Sequence, residues 1–300
     1  MKIVITGADG FVGGHLIPKL LDDKHEIFLI GGNIDSLKRR FGETHLYLSF
    51  IKLDQNELID KLIKFSPDIV VNLAAFSTST DTYDDLQNLF SANILFLGKI
   101  LDALKNVNLK LFIYTGSSTE HAKNDNSIDP VYLYSATKSA GRAILKYYSE
   151  IYNFKNISIN PYNIYGEFGT QNKVLDLICD SLNSATPINL TPGNQVLDFI
   201  NVDDVAKLYV SVIEKFATIP NNSILPAGTG TGHSLKEIAA IIEAISDKKV
   251  NINWGGISYR KKDTVYSVAD ILLTKRVCGW EPSIDINEGL KRLLKGKANN

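Results

Sequence analysis

Lys2-Ile3-Val4-Ile5-Thr6-Gly7-Ala8-Asp9-Gly10-Phe11-Val12-Gly13 stands at the start of the chain, and its reading decides the fold. The β-branched run to Thr6 predicts a buried strand, and the apolar spacing over Val12–Leu21 predicts a helix directly after it. Three glycines therefore fill a tight strand-to-helix turn. Gly7 permits the turn, and Gly10 lets the backbone come close to a pyrophosphate. Gly13 lets the helix pack against the strand, with the helix N-terminus facing the phosphates. A glycine triplet also serves ordinary tight turns. This one, between a first strand and a first helix, favours a bound dinucleotide with Phe11 and Val12 beside it.

Outward from this loop, strands and amphipathic helices alternate. Further strands are expected at Glu26–Ile30, Leu46–Leu53, Ile69–Leu73, Leu111–Thr115 and Ile157–Asn160. Helices are expected at Gln55–Phe65, Asp84–Leu104 and Tyr132–Tyr152. That rhythm predicts an α/β fold, a Rossmann-type doubly wound parallel sheet. After Gly166 shorter elements mix with Gly, Pro and Asn clusters, which predicts a smaller C-terminal α/β lobe. The expected division is 1–166 for dinucleotide binding and 167–300 for the substrate lobe, with the chain returning to the first sheet around 195–215.

Composition narrows the function. The 300 residues are 44% hydrophobic and 22% charged, and 32 basic against 33 acidic residues leave a net charge of −1. No basic surplus exists to neutralise a phosphate backbone, so nucleic acid is not an expected partner. Cys179 and Cys278, far apart, predict two buried thiols rather than a disulfide or a zinc site. His15, His25, His45 and His233 show no metal-ligand spacing and are expected at the surface or in turns; no metal is expected. The chain shows no leader and no membrane-length apolar run, which together predict a cytoplasmic location, with the sequons at Asn156, Asn189 and Asn221 as chance matches.

The second strand ends in Gly31-Gly32-Asn33, without the acid that would accept from the adenosine ribose of NAD. Lys38-Arg39-Arg40 follow, and a guanidinium suits a 2′-phosphate. NADP(H) is therefore preferred over NAD(H), with Asn33 and Arg39 as contacts, although those cations could also be a solvated helix face. Asp54, after the third strand, is placed to accept from the adenine amino group. Leu73-Ala74-Ala75 ends the fourth strand with small residues where a cofactor ribose could approach the backbone.

Tyr134 and Lys138 share one face of a helix. A nearby ammonium and the nicotinamide cation favour phenolate and should lower the tyrosine pKa toward working pH, so that Tyr134 can exchange a proton with a substrate oxygen. Lys138 could also hold a cofactor ribose hydroxyl. Ser117 and Ser118 follow the fifth strand, and a hydroxyl there would orient the reacting carbonyl.

Together these motifs resemble the extended short-chain dehydrogenase/reductases, which include nucleotide-sugar epimerases, dehydratases and ketoreductases. T-G-x-x-G-x-x-G, the Leu-Ala-Ala strand end, Asn93, Ser117 and Tyr134/Lys138 all match. Pro161-Tyr162-Asn163-Ile164-Tyr165-Gly166 is similar to R-x-x-N-V-Y-G, Asp198-Phe199-Ile200 to R-D-F-I, Arg260-Lys261-Lys262-Asp263 to R-x-G-D, and Cys278-Gly279-Trp280-Glu281-Pro282 to L-G-W-x-P. The resemblance covers nearly the whole chain. It implies Ser117, Tyr134 and Lys138 as catalytic residues and Tyr162 beside the nicotinamide. It also implies Asn163 and Asn172 against the sugar nucleotide and Arg260 on its diphosphate. Asn160 and Leu197 stand where arginines are usual, which puts one phosphate contact in doubt. His121 stands in for the usual aromatic of V-Y-G.

Dehydratases of this family carry an Asp-Glu pair where Ser118-Thr119 stand here. Glu120 is one residue late and should point elsewhere on an extended strand, which disfavours dehydration. The absent acid tilts the reading from a 4-epimerase with tightly held NAD toward an NADP-dependent 4-ketoreductase. The short 117–134 connection, Gln171-Asn172-Lys173 and Ser267-Val268-Ala269 resemble the CDP-abequose synthase type, which makes cell-surface deoxy sugars. A non-catalytic NADP sensor or assembly protein is the other class, and the intact Tyr/Lys pair argues against it. The resemblance further implies a homodimer through the Asp84–Leu104 and Tyr132–Tyr152 helices.

Overall fold

The computed structural model describes residues 1–42, 48–52, 57–121, 127–167 and 173–298. The first six strands are β1 (Lys2–Thr6), β2 (Glu26–Gly31), β3 (Leu48–Lys52), β4 (Ile69–Asn72), β5 (Leu111–Thr115) and β6 (Lys155–Pro161). Between them run α1 (Phe11–Asp22), α2 (Ile34–Phe41), α3 (Leu58–Phe65), α4 (Tyr83–Phe90), α5 (Phe96–Leu104) and α6 (Leu133–Ile151). The helix expected as one piece from Asp84 is thus α4 and α5, joined by a π-helical stretch at Ser91–Leu95.

The later part of the chain comprises β7 (Asn163–Tyr165), α7 (Val174–Ser181), β8 (Ile188–Leu190), β9 (Val196–Asn201) and α8 (Val202–Lys215). It continues through β10 (Ser223–Ala227), β11 (Gly232–Ser234), α9 (Leu235–Ser246), β12 (Ile252–Trp254), β13 (Tyr266–Ser267), α10 (Leu272–Cys278) and α11 (Ile286–Ala298).

The main sheet has seven strands in the order β10-β6-β5-β4-β1-β2-β3, and every pairing is parallel. Its central strands β1, β2, β4 and β5 are largely apolar because helices cover both faces. The pleat sorts alternate residues. Ile3 and Ile5 join one core with Leu16, Leu20, Leu208 and Val212 of α1 and α8, whereas Val4 joins the other with Leu62, Leu97, Ile100 and Leu145 of α3, α5 and α6.

The chain returns to this sheet first as a helix, α8, and then as a strand, β10. Residues 196–201 form β9 of a second sheet, in which β7, β11 and β13 also pair. Only then does α8 pack along α1, and β10 becomes the seventh strand. Trp280 and Cys278 join this first core, and the Trp280 indole donates to Asp204 O at 3.0 Å. The second lobe has its own core from α7, α9 and α11, including Ile178, Ile238, Ile242 and Leu290. Both cysteines are buried, as expected. His15 is no loose surface residue: its ring bonds Asp203 Oδ1 at 2.9 Å and Glu167 O at 3.1 Å, tying α1 to α8 and to the chain after β7. Among the described residues no helix is long and apolar enough to cross a membrane.

β1 pairs with β2 on one side and β4 on the other, so the connections after β1 and β4 leave in opposite directions and open a crevice at the strand ends. Gly7 has φ +66° there, and a Cβ on it would stand 2.6 Å from Ala74 N. Gly7→Ala should therefore destabilise the protein by about 1–3 kcal/mol, read from the shift in denaturation midpoint at constant slope; an unchanged midpoint would refute this account of the turn.

Candidate active site

The floor of the crevice is built from β1 and β4. Thr6 Oγ1 donates to Asn72 Oδ1 at 2.7 Å and accepts from Ala74 N–H at 3.1 Å, while Leu73 N–H donates to Thr6 O at 3.1 Å. Leu73 and Ala74 are thereby drawn up to the glycine loop. Gly10 is the N-cap of α1 and offers no side-chain cap, so the first-turn N–H groups at Phe11, Val12 and Gly13 are left to a ligand. A Cβ on Gly13 would stand 2.6 Å from Ala8 O, which is the close helix–strand packing expected of it. This cradle, with its glycines required by close approach and its helix dipole aimed inward, fits a dinucleotide pyrophosphate. Phe11 packs edge-on to His15 at 5.6 Å, and Lys173 Nζ stands 5.7 Å from its ring centroid.

The adenosine end is less as expected. Asn33 caps α2 by accepting from Ser36 N–H at 2.9 Å, and its own N–H donates to Asp9 Oδ2 at 2.8 Å. Arg39 lies in the last turn of α2, exposed, with Nε donating to Asp35 O at 3.3 Å. Arg40 is turned onto α1, where its guanidinium lies over Gly14. Asp54 lies outside the described residues.

β5 delivers Thr115 and then Gly116-Ser117, where a Cβ on Gly116 would collide with the Asn160 amide. Residues 118–120 form a 3-10 turn instead of the extended strand expected. Ser117 caps it: its Oγ accepts from Thr119 N–H at 3.2 Å and bonds Thr119 Oγ1 at 2.7 Å. The turn swings Glu120 into the interior, where it is fully buried. Glu120 Oε1 accepts from Ser117 N–H at 2.8 Å, and Oε2 accepts from Ser139 Oγ at 2.9 Å and pairs with Arg142 at 2.8 Å. One carboxylate therefore ties the Ser117 backbone to the helix that carries Tyr134 and Lys138. Sequence reasoning missed this role, although Ser117-x-x-Glu120 has capping-box spacing.

α6 places Tyr134 in its first turn, half-buried, and Lys138 one turn on, 1% exposed. Lys138 Nζ stands 5.9 Å from the Tyr134 ring centroid and 4.8 Å from that of Tyr114, whose hydroxyl donates to Lys138 O at 3.0 Å. Asn93, in the π-helical stretch, donates to Thr137 Oγ1 at 3.0 Å and also holds Phe76 N–H and O, which steadies α6 against the chain after β4. The expected lowering of the tyrosine pKa is absent. Burial, reinforced by the Glu120 charge, pushes Tyr134 well above the ordinary phenol value. Burial also lowers Lys138 to about 8, with Glu120 acting in the opposite direction. Tyr134 is therefore protonated at neutral pH and poised to give a proton.

The second lobe reaches this site through a loop. Arg260, exposed, donates from Nη2 to Ser79 Oγ at 2.9 Å and lies 5.7 Å from the Tyr132 ring centroid at the start of α6. Lys262 pairs with Asp129 at 2.6 Å and donates to Pro130 O at 2.9 Å. Tyr162 follows β6, its N–H donating to Ala227 O at 3.0 Å, and burial pushes its phenol up to about 12. Asn163 gives its side-chain amide to Asp198 O at 2.9 Å, which commits that donor to the β7–β9 junction. Ser118 is half-buried beside Ser117. Asn172 lies outside the described residues. Among the described residues no group of three or more His, Cys, Asp or Glu side chains is arranged to hold a metal ion.

Residues 3–228 match the NAD-dependent epimerase/dehydratase family. A CDP-abequose synthase of Yersinia pseudotuberculosis is 31% identical over 265 residues, 88% of this chain and 91% of that protein. A protein described as a putative UDP-glucose 4-epimerase of Methanocaldococcus jannaschii is 26% identical over 99% of both chains. The structure of UDP-glucuronic acid 4-epimerase from Bacillus cereus, in complex with UDP-glucuronic acid and NAD, superposes with a TM-score of 0.88 at 22% identity, covering 100% of both chains. The chain belongs to the NAD-dependent epimerase/dehydratase family and is an NAD(P)-dependent oxidoreductase of the extended short-chain dehydrogenase/reductase type.

Glu120 raises the pKa of both Lys138 and Tyr134, so neutralising it should lower both. In Glu120→Gln, the Lys138 side-chain resonance of carbon-13-labelled protein should titrate below its wild-type midpoint of about 8. A midpoint that stays in place or rises would refute the electrostatic link.

Proposed function

We propose that this member of the family reduces the 4-keto group of a nucleotide-linked deoxy sugar, a 4-keto-6-deoxy or 4-keto-3,6-dideoxy hexose. The observation that carries the reading is the disposition of acids and protons. Eliminating water would need an acid and a base beside Ser117, yet Ser118 and Thr119 are hydroxyls and Glu120 is locked inside against Ser139 and Arg142. Tyr134, half-buried beside Lys138 and with its phenol pKa raised by burial, carries the proton that ketone reduction consumes. Similarity to CDP-abequose synthases, at 31% and 26% identity, supports the same sugar class.

When bound, a reduced nicotinamide supplies the hydride. The chain's own residues do the rest. Ser117 Oγ donates to the 4-keto oxygen and fixes its direction, and Tyr134 transfers its hydroxyl proton to that oxygen as negative charge develops on it. Lys138 stabilises the resulting phenolate, an effect of a few kcal/mol, roughly, in a partly dry site. Arg260 grips the substrate diphosphate from the second lobe, with Ser118, Asn163 and Asn172 along the sugar nucleotide and Tyr162 against the nicotinamide. In this reading 1–166 binds the dinucleotide and 167–300 mainly the nucleotide sugar, with α8 and β10 lent to the first sheet.

Read from β2 alone, the missing acid suggests NADPH as the donor. Its second support is weaker, because Arg39 sits in the last turn of α2, roughly 9 Å along the helix axis from Asn33. A second reading, a 4-epimerase with tightly held NAD, is favoured by the likeness in fold to epimerases. A role in making cell-surface sugars would place the enzyme in the cytoplasm. We also read the chain as a homodimer: Phe90, Leu95, Tyr147 and Ile151 are exposed on the α4–α5 and α6 faces and would be covered by a second copy.

Incubation with CDP-, dTDP- and GDP-4-keto-6-deoxy sugars should consume reduced nicotinamide in proportion to 4-hydroxy product. Tyr134→Phe should lower kcat about 10²- to 10⁴-fold. Interconversion of 4-hydroxy nucleotide sugars without net consumption would establish the epimerase instead. Sedimentation should give twice the chain mass, falling to the single-chain mass for Leu95→Glu/Ile151→Glu; a wild-type monomer would remove the dimer.

A further inference from the structure

Within the reductase reading, the geometry points to Asp9 as the acid that reads the adenosine ribose, supplied by the glycine loop instead of by β2, so that the bound dinucleotide is NAD(H). In dinucleotide folds a carboxylate at the end of the second strand accepts from the ribose 2′-hydroxyl. Here that strand ends in Gly31-Gly32, and the space above them is taken by another residue. A Cβ on Gly31 would stand 2.9 Å from Asp9 Oδ1 and 3.0 Å from its Cγ, and a Cβ on Gly32 would stand 3.5 Å from Asp9 Oδ2. The Asp9 carboxylate, together with Leu37 Cδ1 at 2.8 Å from the same point, thus fills the position where a side chain of β2 would begin. The two glycines leave room for it.

Asp9 is also held there. Its Oδ2 accepts from Asn33 N–H at 2.8 Å, which bridges the glycine loop to the start of α2 and leaves Oδ1 on the Gly31 side. The side chain is exposed and stands within reach of a ligand at the crevice. A carboxylate in this place accepts from a ribose hydroxyl and repels a 2′-phosphate. The guanidinium groups that could offset that repulsion are committed elsewhere: Arg39 lies along the far end of α2, and Arg40 is laid over Gly14.

Calorimetric titration of the whole protein with NADH and NADPH, without any sugar, tests the assignment independently of turnover. Wild type should bind NADH about tenfold or more tightly than NADPH. Asp9→Asn keeps the acceptor for Asn33 N–H and removes only the charge, so its preference should shrink through tighter NADPH binding. Asp9→Ala should lose about tenfold in NADH affinity without a matching loss for NADPH. D9A/G31D, which moves the acid back to β2 into the space vacated, should restore the NADH preference. Wild type binding NADPH as tightly as NADH, or an Asp9→Ala ratio equal to that of wild type, would overturn the role of Asp9 and leave the reductase reading standing. Failure of both nucleotides to bind would overturn the dinucleotide reading and this one with it.

Discussion

The contact between Gly7 and the backbone at Leu73–Ala74 is the constraint on which the site depends. A parallel sheet can open a crevice only where its order reverses, and here that point lies between β1 and β4. Bringing these strand ends together requires a left-handed residue with no Cβ at position 7, and Thr6 then stitches the junction through Asn72 and Ala74. The loop that cradles phosphate and the strand end that meets a ribose are consequently one rigid object. The polar crevice costs little in stability, because the apolar cores lie on the two faces of the sheet and not at its edge.

A second constraint orders the chemistry. Glu120 is a carboxylate without solvent contact, and such a group persists only when its lone pairs are matched. Ser117 N–H, Ser139 Oγ and Arg142 match them. That satisfaction also links the turn bearing Ser117 to the helix bearing Tyr134 and Lys138, so the three side chains keep their spacing through one buried group. The same negative charge acts at a distance. It keeps the tyrosine proton on and favours the ammonium form of a lysine that burial would otherwise neutralise further. Geometry and electrostatics therefore share one cause.

Much of this was legible in the sequence because it rests on local rules. The strand–glycine–helix opening fixed the sheet type, and the continuous burial of β1 followed from its apolar run. The four-residue spacing put Tyr134 and Lys138 on one face. What stayed hidden depended on tertiary placement. The direction of the tyrosine shift was misread because a spacing argument sees Lys138 but neither the burial of the phenol nor, second to it, the charge of Glu120. The split of the 195–215 stretch was not legible, because β9 and α8 are contiguous in sequence yet β9 pairs in the second sheet while α8 packs on the first. His15 looked like a surface residue because its partners, Asp203 and Glu167, are remote in sequence.

The end of β2 shows how one reading carries into another. A missing acid was taken to mean a missing negative charge, and from that came both a phosphorylated cofactor and a preference for reduction over epimerisation. The two inferences separate once Asp9 is seen standing over Gly31. Reduction no longer draws support from the cofactor, since a carboxylate at the ribose suits an enzyme that keeps NAD as well as one that exchanges NADH. It rests instead on the crevice itself, where the internal anchoring of Glu120 removes an elimination base and leaves Tyr134 as a proton donor. The absence of a residue from its usual place in a sequence is therefore a statement about one strand. Whether its charge is absent from the site depends on every strand end that converges there.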